Sequence, residues 1–267
     1  MNIEKVKIIS FSPTGTSKKV AEAIARGVHQ HLPETIDITK PEQRTHVQSF
    51  SENDLLIVAV PVYMGRVPDL ATVWLKTIEA HATPAIAVVV YGNRTYGDAL
   101  LELSDILTDA GCIVVAGAAF IGEHSFSSTE YPCSPNRPDL HDIKYAELFG
   151  QNVFDSITKL DSLQLKTRLN LPGTFPYVGL TKLWDVDFIH IGPDCIQCGL
   201  CAENCPAGAI DATDNHLIDI EKCITCCACI KNCPQNARSM KPGLVMDAAI
   251  RINKLYNTVR EPEFFYQ

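Results

Sequence analysis

Apolar, β-branched runs recur along the first half of the chain, each followed by a polar loop and then by apolar residues at helical spacing. The runs are IEKVKIISF at 3–11, DLLIVAV at 54–60, PAIAVVVY at 84–91 and IVVAGAAFI at 113–121, with a weaker TIDI at 35–38. Helical patterns lie from Lys18 to about His31, at about 68–79 and 96–110, and again at about 142–159. Strands that alternate with helices predict an α/β fold with a doubly wound parallel sheet. In such a sheet a ligand sits beyond the carboxyl ends of the strands.

Past this region the pattern breaks. Residues 123–142 (EHSFSSTEYPCSPNRPDLHD) form a proline-rich loop too long for a plain connector, placed to cover a ligand at the strand ends. Segment 159–184 is a linker with too few charges to be fully solvated, so it is expected to pack on its neighbours. Residues 244–260 regain helical spacing, and the chain ends in an aromatic tail, EPEFFYQ, expected to dock within the chain.

Cysteine placement sharpens the division. Nine of the eleven cysteines lie between 195 and 233, and only Cys112 and Cys133 precede them. This predicts a first domain at 1–158, the linker at 159–184, a second domain at 185–241 and a C-terminal helix and tail at 242–267. With 267 residues the chain is long enough for a full core. A net charge of −8 argues against nucleic-acid binding and favours a partner with basic patches. The N-terminal MNIEKVKIISF lacks the apolar region of a signal peptide, and the longest apolar runs are too short to span a bilayer, so a cytoplasmic protein is expected. In that compartment eleven cysteines point to metal or redox chemistry, not disulfides.

Three strand-end loops carry candidate chemistry. SPTGTS (12–17) joins the first strand to the first helix, with hydroxyls on Ser12, Thr14, Thr16 and Ser17 and a turn at Gly15. It suits a phosphate at a helix N-terminus, although alone it equally suits a cluster of helix caps without a ligand. PVYMGRVP (61–68) and YGNRTYG (91–97) combine aromatics with glycine, as a flat ring requires. Together the three loops resemble the flavodoxin family, whose sheet has strand order 2-1-3-4-5. The resemblance implies FMN, its phosphate held by Ser12, Thr14, Gly15, Thr16 and Ser17. Its ring would lie among Pro61, Val62, Tyr63, Met64, Gly65, Tyr91, Gly92, Asn93, Arg94 and Tyr96. His124 is a candidate flavin neighbour or proton donor, although a solvated loop histidine is the expected reading; Cys133 reads as a bystander.

The second domain holds an internal repeat. CIQCGLCAENCP begins at Cys195 and CITCCACIKNCP at Cys223, both with the spacing C-x2-C-x2-C-x3-C-P. A tetrahedral zinc site needs two C-x2-C pairs and leaves the third cysteine and the C-P step unexplained. The run resembles bacterial two-cluster ferredoxins, in which the fourth cysteine serves the other [4Fe–4S] cluster. By that resemblance Cys195, Cys198, Cys201 and Cys233 hold cluster I, and Cys223, Cys226, Cys229 and Cys205 hold cluster II, in a small α+β domain flanked by strands at 185–192 and 216–222. Cys227 falls on Gly199 in the repeat and is the surplus thiol. Arg238 falls on Ile210, where an apolar residue is usual, and is expected to reach solvent instead of tuning a cluster.

A flavodoxin-like domain followed by a two-cluster module resembles the flavodoxin–ferredoxin electron-transfer proteins of anaerobes, as does SPNRPDLHDIKYAELFG (134–150). The resemblance implies electron transfer between FMN and two [4Fe–4S] clusters, to or from a redox partner such as a ferredoxin-like donor or acceptor. A flavin-dependent reductase of a small molecule, or a binding protein with degenerate sites, are the competing readings. No nicotinamide fingerprint is visible.

Overall fold

A computed structural model of the protein describes residues 2–28, 32–159, 168–180 and 184–267. In chain order the first region comprises β1 (Lys5–Ser10), α1 (Thr16–Val28), β2 (Glu34–Asp37), a 3-10 turn at Pro41–Arg44, β3 (Ser49–Phe50), β4 (Asp54–Pro61), α2 (Asp69–Leu75), β5 (Glu79–Ala80), β6 (Thr83–Tyr91), α3 (Ala99–Asp109), β7 (Cys112–Ile121) and α4 (Leu140–Ile157). The second contains β8 (Ile189–Ile191), α5 (Leu200–Glu203), α6 (Ala228–Lys231), β9 (Arg238–Met240), α7 (Leu244–Leu255) and β10 (Glu263–Tyr266).

The parallel sheet runs β2-β1-β4-β6-β7, the order 2-1-3-4-5 of its five predicted strands. Both faces are covered, which is why β4 and β6 are apolar at nearly every position. One face packs Leu56, Val58, Val60 and Val89 against Trp74, Leu75, Leu100 and Leu103; the other packs Ile8, Ile57, Val88 and Phe120 against Val20, Ile24, Phe149 and Val153. On this second face α1 and α4 approach closely at two glycines. A Cβ on Gly27 would come 1.9 Å from the Glu147 carbonyl oxygen, and one on Gly150 would come 2.1 Å from that of Ile24.

The sequence pattern does not predict the sixth strand. β10 pairs antiparallel with β7, bringing the aromatic tail back onto the outer edge of the first domain. Alternation explains the fit: Phe264 stacks on Phe149 at 5.0 Å on one face, while Phe265 packs into the core of the other. Four residues at a chain end are too few for periodicity to reveal.

Linker residues 168–180 lie across α3. Leu169 and Leu171 enter the sheet core, Asp98 accepts bonds from the Thr174 and Val178 amides at 2.9 and 2.6 Å, and the Tyr177 hydroxyl donates to Asp105. The rest of the predicted linker at 160–167 and 181–183, and the end of the first predicted helix at 29–31, lie outside the described residues.

In the second region the repeat is visible in the backbone. Left-handed residues recur at the same offset: Gln197 and Thr225, Gly199 and Cys227, Gly208 and Asn236. Each half has one four-residue helix, α5 or α6, beginning just after its left-handed Gly199 or Cys227. The strand predicted at 185–192 is β8, which pairs with β9; that predicted at 216–222 is reduced to a single bridge between Ile218 and Ile210. α7 packs Val245, Ala248, Ala249 and Ile252 into the core of this region, together with Phe126 and Cys133 from the long loop of the first. No helix of the described residues is long and apolar enough to cross a membrane.

Candidate flavin and cluster sites

At the carboxyl end of the sheet, Ser12, Pro13, Thr14, Thr16 and Ser17 form one side of a cleft. Pro61, Val62, Tyr63, Val90, Tyr91 and Gly92 form the next side, and Gly122, Glu123, His124 and Ser125 the third. Strand ends supply all three sides because β1, β4, β6 and β7 all stop here. The loop that turns into α1 is set by backbone bonding: Gly15 lies at φ 84°, and Ser12 Oγ accepts from the Lys18 amide at 3.1 Å. The hydroxyl of Ser17 is buried at the head of α1 without a partner, as a bound oxyanion would require.

Several predicted ring residues stand elsewhere. Asn93 turns its amide away and donates to the Tyr256 and Thr258 carbonyls, both at 2.7 Å. Tyr96 donates to Glu263 at 2.8 Å, and Arg94 lies over the Tyr256 ring. These three fasten the C-terminal segment, a role no local pattern reveals because the partner is more than 160 positions away. Met64 and Gly65 lie beyond the cleft, in a left-handed turn against Gly97 and Val178.

His124 and its neighbours complete the wall. The imidazole lies on Gly92, where a Cβ would come 2.2 Å from its Cδ2, so only glycine is accommodated. Its Nδ1 accepts from the Phe126 amide at 3.0 Å. Burial pushes the imidazole down to about 4, with Lys231 and Arg94 adding to the effect, so it is neutral near pH 7. The enclosed space of the cleft is about 40 Å³, enough for a phosphate-sized group, while a nucleotide pocket spans several hundred Å³. The hydroxyl-lined side of the cleft suits a phosphate group, while Tyr63 and the His124 loop line the remainder of a space smaller than a whole nucleotide requires.

The eight repeat cysteines surround two other voids, each of about 20 Å³. Cys195, Cys198, Cys201 and Cys233 line one; Cys205, Cys223, Cys226 and Cys229 line the other, with Cys227 beside them. Each set combines three sulfurs of one half-repeat with the fourth of the other. None of the eleven cysteines is joined in a disulfide. Among the described residues no three of His, Cys, Asp and Glu are gathered tightly enough to hold one metal ion. Burial raises the Cys226 thiol well above its ordinary value and pushes Cys229 up to about 12. Their thiolates need a compensating metal charge, and the donor set suits iron–sulfur ligation.

Cys226 also closes the flavin cleft, so it lies in the walls of both that cleft and the second sulfur void. The module is held in this pose by polar ties to the loops around the cleft. Asn232 donates to the Pro13 carbonyl at 3.2 Å, Lys231 pairs with Glu123 at 2.6 Å, Lys40 pairs with Glu203 at 2.7 Å, and Arg44 donates to the Pro206 carbonyl. Cys133 proves structural: it is buried in the shared core, and its thiol is pushed up to about 11.

A family model described as Flavodoxin matches residues 8–131, and one described as 4Fe-4S dicluster domain matches residues 188–234. The chain is a flavodoxin–ferredoxin fusion. The first domain of the fusion binds FMN, and the second carries two 4Fe–4S clusters. Such a pair of domains performs electron transfer and implies a redox partner. No curated protein matches the chain. Among solved structures, flavodoxin 1 of Bacillus cereus is 19% identical, covers 59% of the fusion and 100% of its own chain, and has a TM-score of 0.39. The FMN-bound flavodoxin of Fusobacterium nucleatum is 14% identical, with coverages of 60% and 98% and a TM-score of 0.33.

Proposed function

We propose that the fusion is an electron relay that passes electrons between FMN and an external redox protein through its two clusters, and that Cys226 marks the internal junction. In this reading Ser12, Thr14, Gly15, Thr16 and Ser17 hold the FMN phosphate. Pro61, Val62, Tyr63, Tyr91 and Gly92 face the ring, with His124 packed behind Gly92. Cys195, Cys198, Cys201 and Cys233 hold cluster I, and Cys205, Cys223, Cys226 and Cys229 hold cluster II. Bound FMN exchanges one or two electrons and each cluster exchanges one. The single observation that carries the reading is the shared wall: one residue, Cys226, borders both the flavin cleft and the cluster II void. Tyr63 lies beside it, its hydroxyl held neutral chiefly by burial and next by Cys226, Cys227 and Cys223.

The module also has an outer end. Cys198 is exposed, and Ile196 beside it is 65% exposed, so cluster I is the side a ferredoxin-like donor or acceptor reaches.

An anaerobic reductive titration of the holoprotein, with flavin and iron quantified, tests the relay. Reduced ferredoxin should reduce the clusters and then the flavin, whereas Cys226→Ala should keep FMN, lose cluster II and slow flavin reduction by at least tenfold. Rapid flavin reduction by NADH alone, or full-rate reduction in the Cys226→Ala protein, contradicts the relay.

A further inference from the structure

The two halves of the dicluster module share their backbone pattern but differ in charge at one pair of buried positions. Ile210, 7% exposed, lines the void of Cys205, Cys223, Cys226 and Cys229. Its counterpart Arg238 does not reach solvent, contrary to the sequence expectation: it is 4% exposed and lines the void of Cys195, Cys198, Cys201 and Cys233. One end of the guanidinium is spoken for, since Nη2 donates to the Asn215 carbonyl. That carbonyl is fixed in turn, because the buried Asn215 side chain accepts from the Gly199 amide at 3.0 Å and donates to the Asp211 carbonyl at 2.9 Å. The other end, Nη1, is buried without a partner. Among the described residues no carboxylate lies within ion-pair distance of Arg238.

A buried cation with no counter-ion is costly unless something negative completes it. Among the described residues, the negative body that these surroundings call for is a cluster held by four thiolates.

We infer that Arg238 raises the reduction potential of the cluster held by Cys195, Cys198, Cys201 and Cys233 above that of its twin, so that this outer cluster takes up the first electron. The physical basis is Coulombic. Reduction adds one electron from the external donor to the cluster and breaks no bond, and a fixed cation in a dry site stabilises the more negative state. Ile210 offers the other cluster no such charge. Arg238 is a positioning residue for the electron and does not bind substrate.

This inference rests on the cluster reading proposed above, so iron and sulfide content is measured first; wild-type protein without two cubanes' worth would end that reading and not bear on Arg238. With clusters present, contact-shifted β-proton resonances of the cysteines, followed through a reductive titration of the holoprotein, report each cluster separately. Arg238→Gln keeps a donor for the Asn215 carbonyl and removes the charge. It should shift the potential of the outer cluster downward, leave the inner one in place and erase or invert the order of reduction. Arg238→Lys should preserve the wild-type order. Unchanged potentials in Arg238→Gln at full iron content, or equal shifts in the Gln and Lys variants, overturn the inference. Should Arg238→Gln fail to hold its clusters, Ile210→Arg tests the same charge from the other side: the inner cluster's potential should rise, and no rise overturns the inference.

Discussion

The two domains bury their interiors by different means. The flavodoxin sheet sinks Ile8, Ile9, Leu55, Leu56, Ile57 and Phe120 completely, and its core is continuous on both faces. The dicluster module has no comparable aliphatic mass. Its core counts Cys227 and Cys229 among the buried residues and borrows Phe126 and Cys133 from the flavodoxin loop and four residues from α7. Hydrophobic burial suffices for the first domain. The second depends on what its thiolates hold and on the surface it rests upon.

Removing the iron gives the largest contrast. Chelation under anaerobic conditions should unfold 189–240, raising amide exchange there to near-unfolded rates, while 5–157 keeps its protection; hydrogen exchange by mass spectrometry reads both at once. Equal protection in the two domains after iron loss would erase the distinction. On the aliphatic side, Gly150→Ala forces a Cβ against the Ile24 carbonyl and should cost about 3 kcal/mol, near the top of the range for overpacking. The urea midpoint of the flavodoxin domain should fall while the iron content of folded protein stays the same.

The seam between the domains responds to pH through His124. Its imidazole titrates at about 4 in the folded protein and near 6.5 in the unfolded chain. The unfolded state therefore binds more protons between those values, so this site costs nothing above pH 6.5 and destabilises progressively as the pH falls toward 4. His124→Leu should lose that slope, worth about 2 kcal/mol at the acid end because the ring is only partly buried. The check is the difference in urea midpoint between wild type and variant across that range. Smallest is Cys227→Gly. Cys227 sits at φ 57°, a conformation glycine adopts without strain, so stability should change by no more than about 1 kcal/mol and both clusters should remain. Loss of a cluster in this variant would make Cys227 a ligand and break the equivalence of the two halves.

Which of these features the sequence disclosed follows from range. The parallel sheet was legible because β4, β6 and β7 are near-continuous apolar runs between helical patterns. The sulfur sets were legible because the repeat fixes which cysteine belongs to which half. The phosphate loop was legible from its hydroxyls between a strand and a helix. The roles of Asn93 and Tyr96 were not, since their partners are Tyr256, Thr258 and Glu263, and adjacent glycine and tyrosine look the same whether they face a ring or a returning tail. Arg238 departs from its sequence expectation for a related reason: a lone arginine is usually solvated, and only its fold neighbours Asn215 and Cys201 reveal that it is enclosed.

The strand β10 has a kinetic corollary. The linker leads into the dicluster module from one side, and β10 returns from its far end to the edge of the sheet, so the module is anchored to the flavodoxin domain at both of its ends. A module tethered once can swing; one stitched twice cannot. Electron passage within the molecule should then proceed at a fixed separation, with a rate indifferent to solvent viscosity and to salt, whereas exchange with the external partner should slow as either is raised.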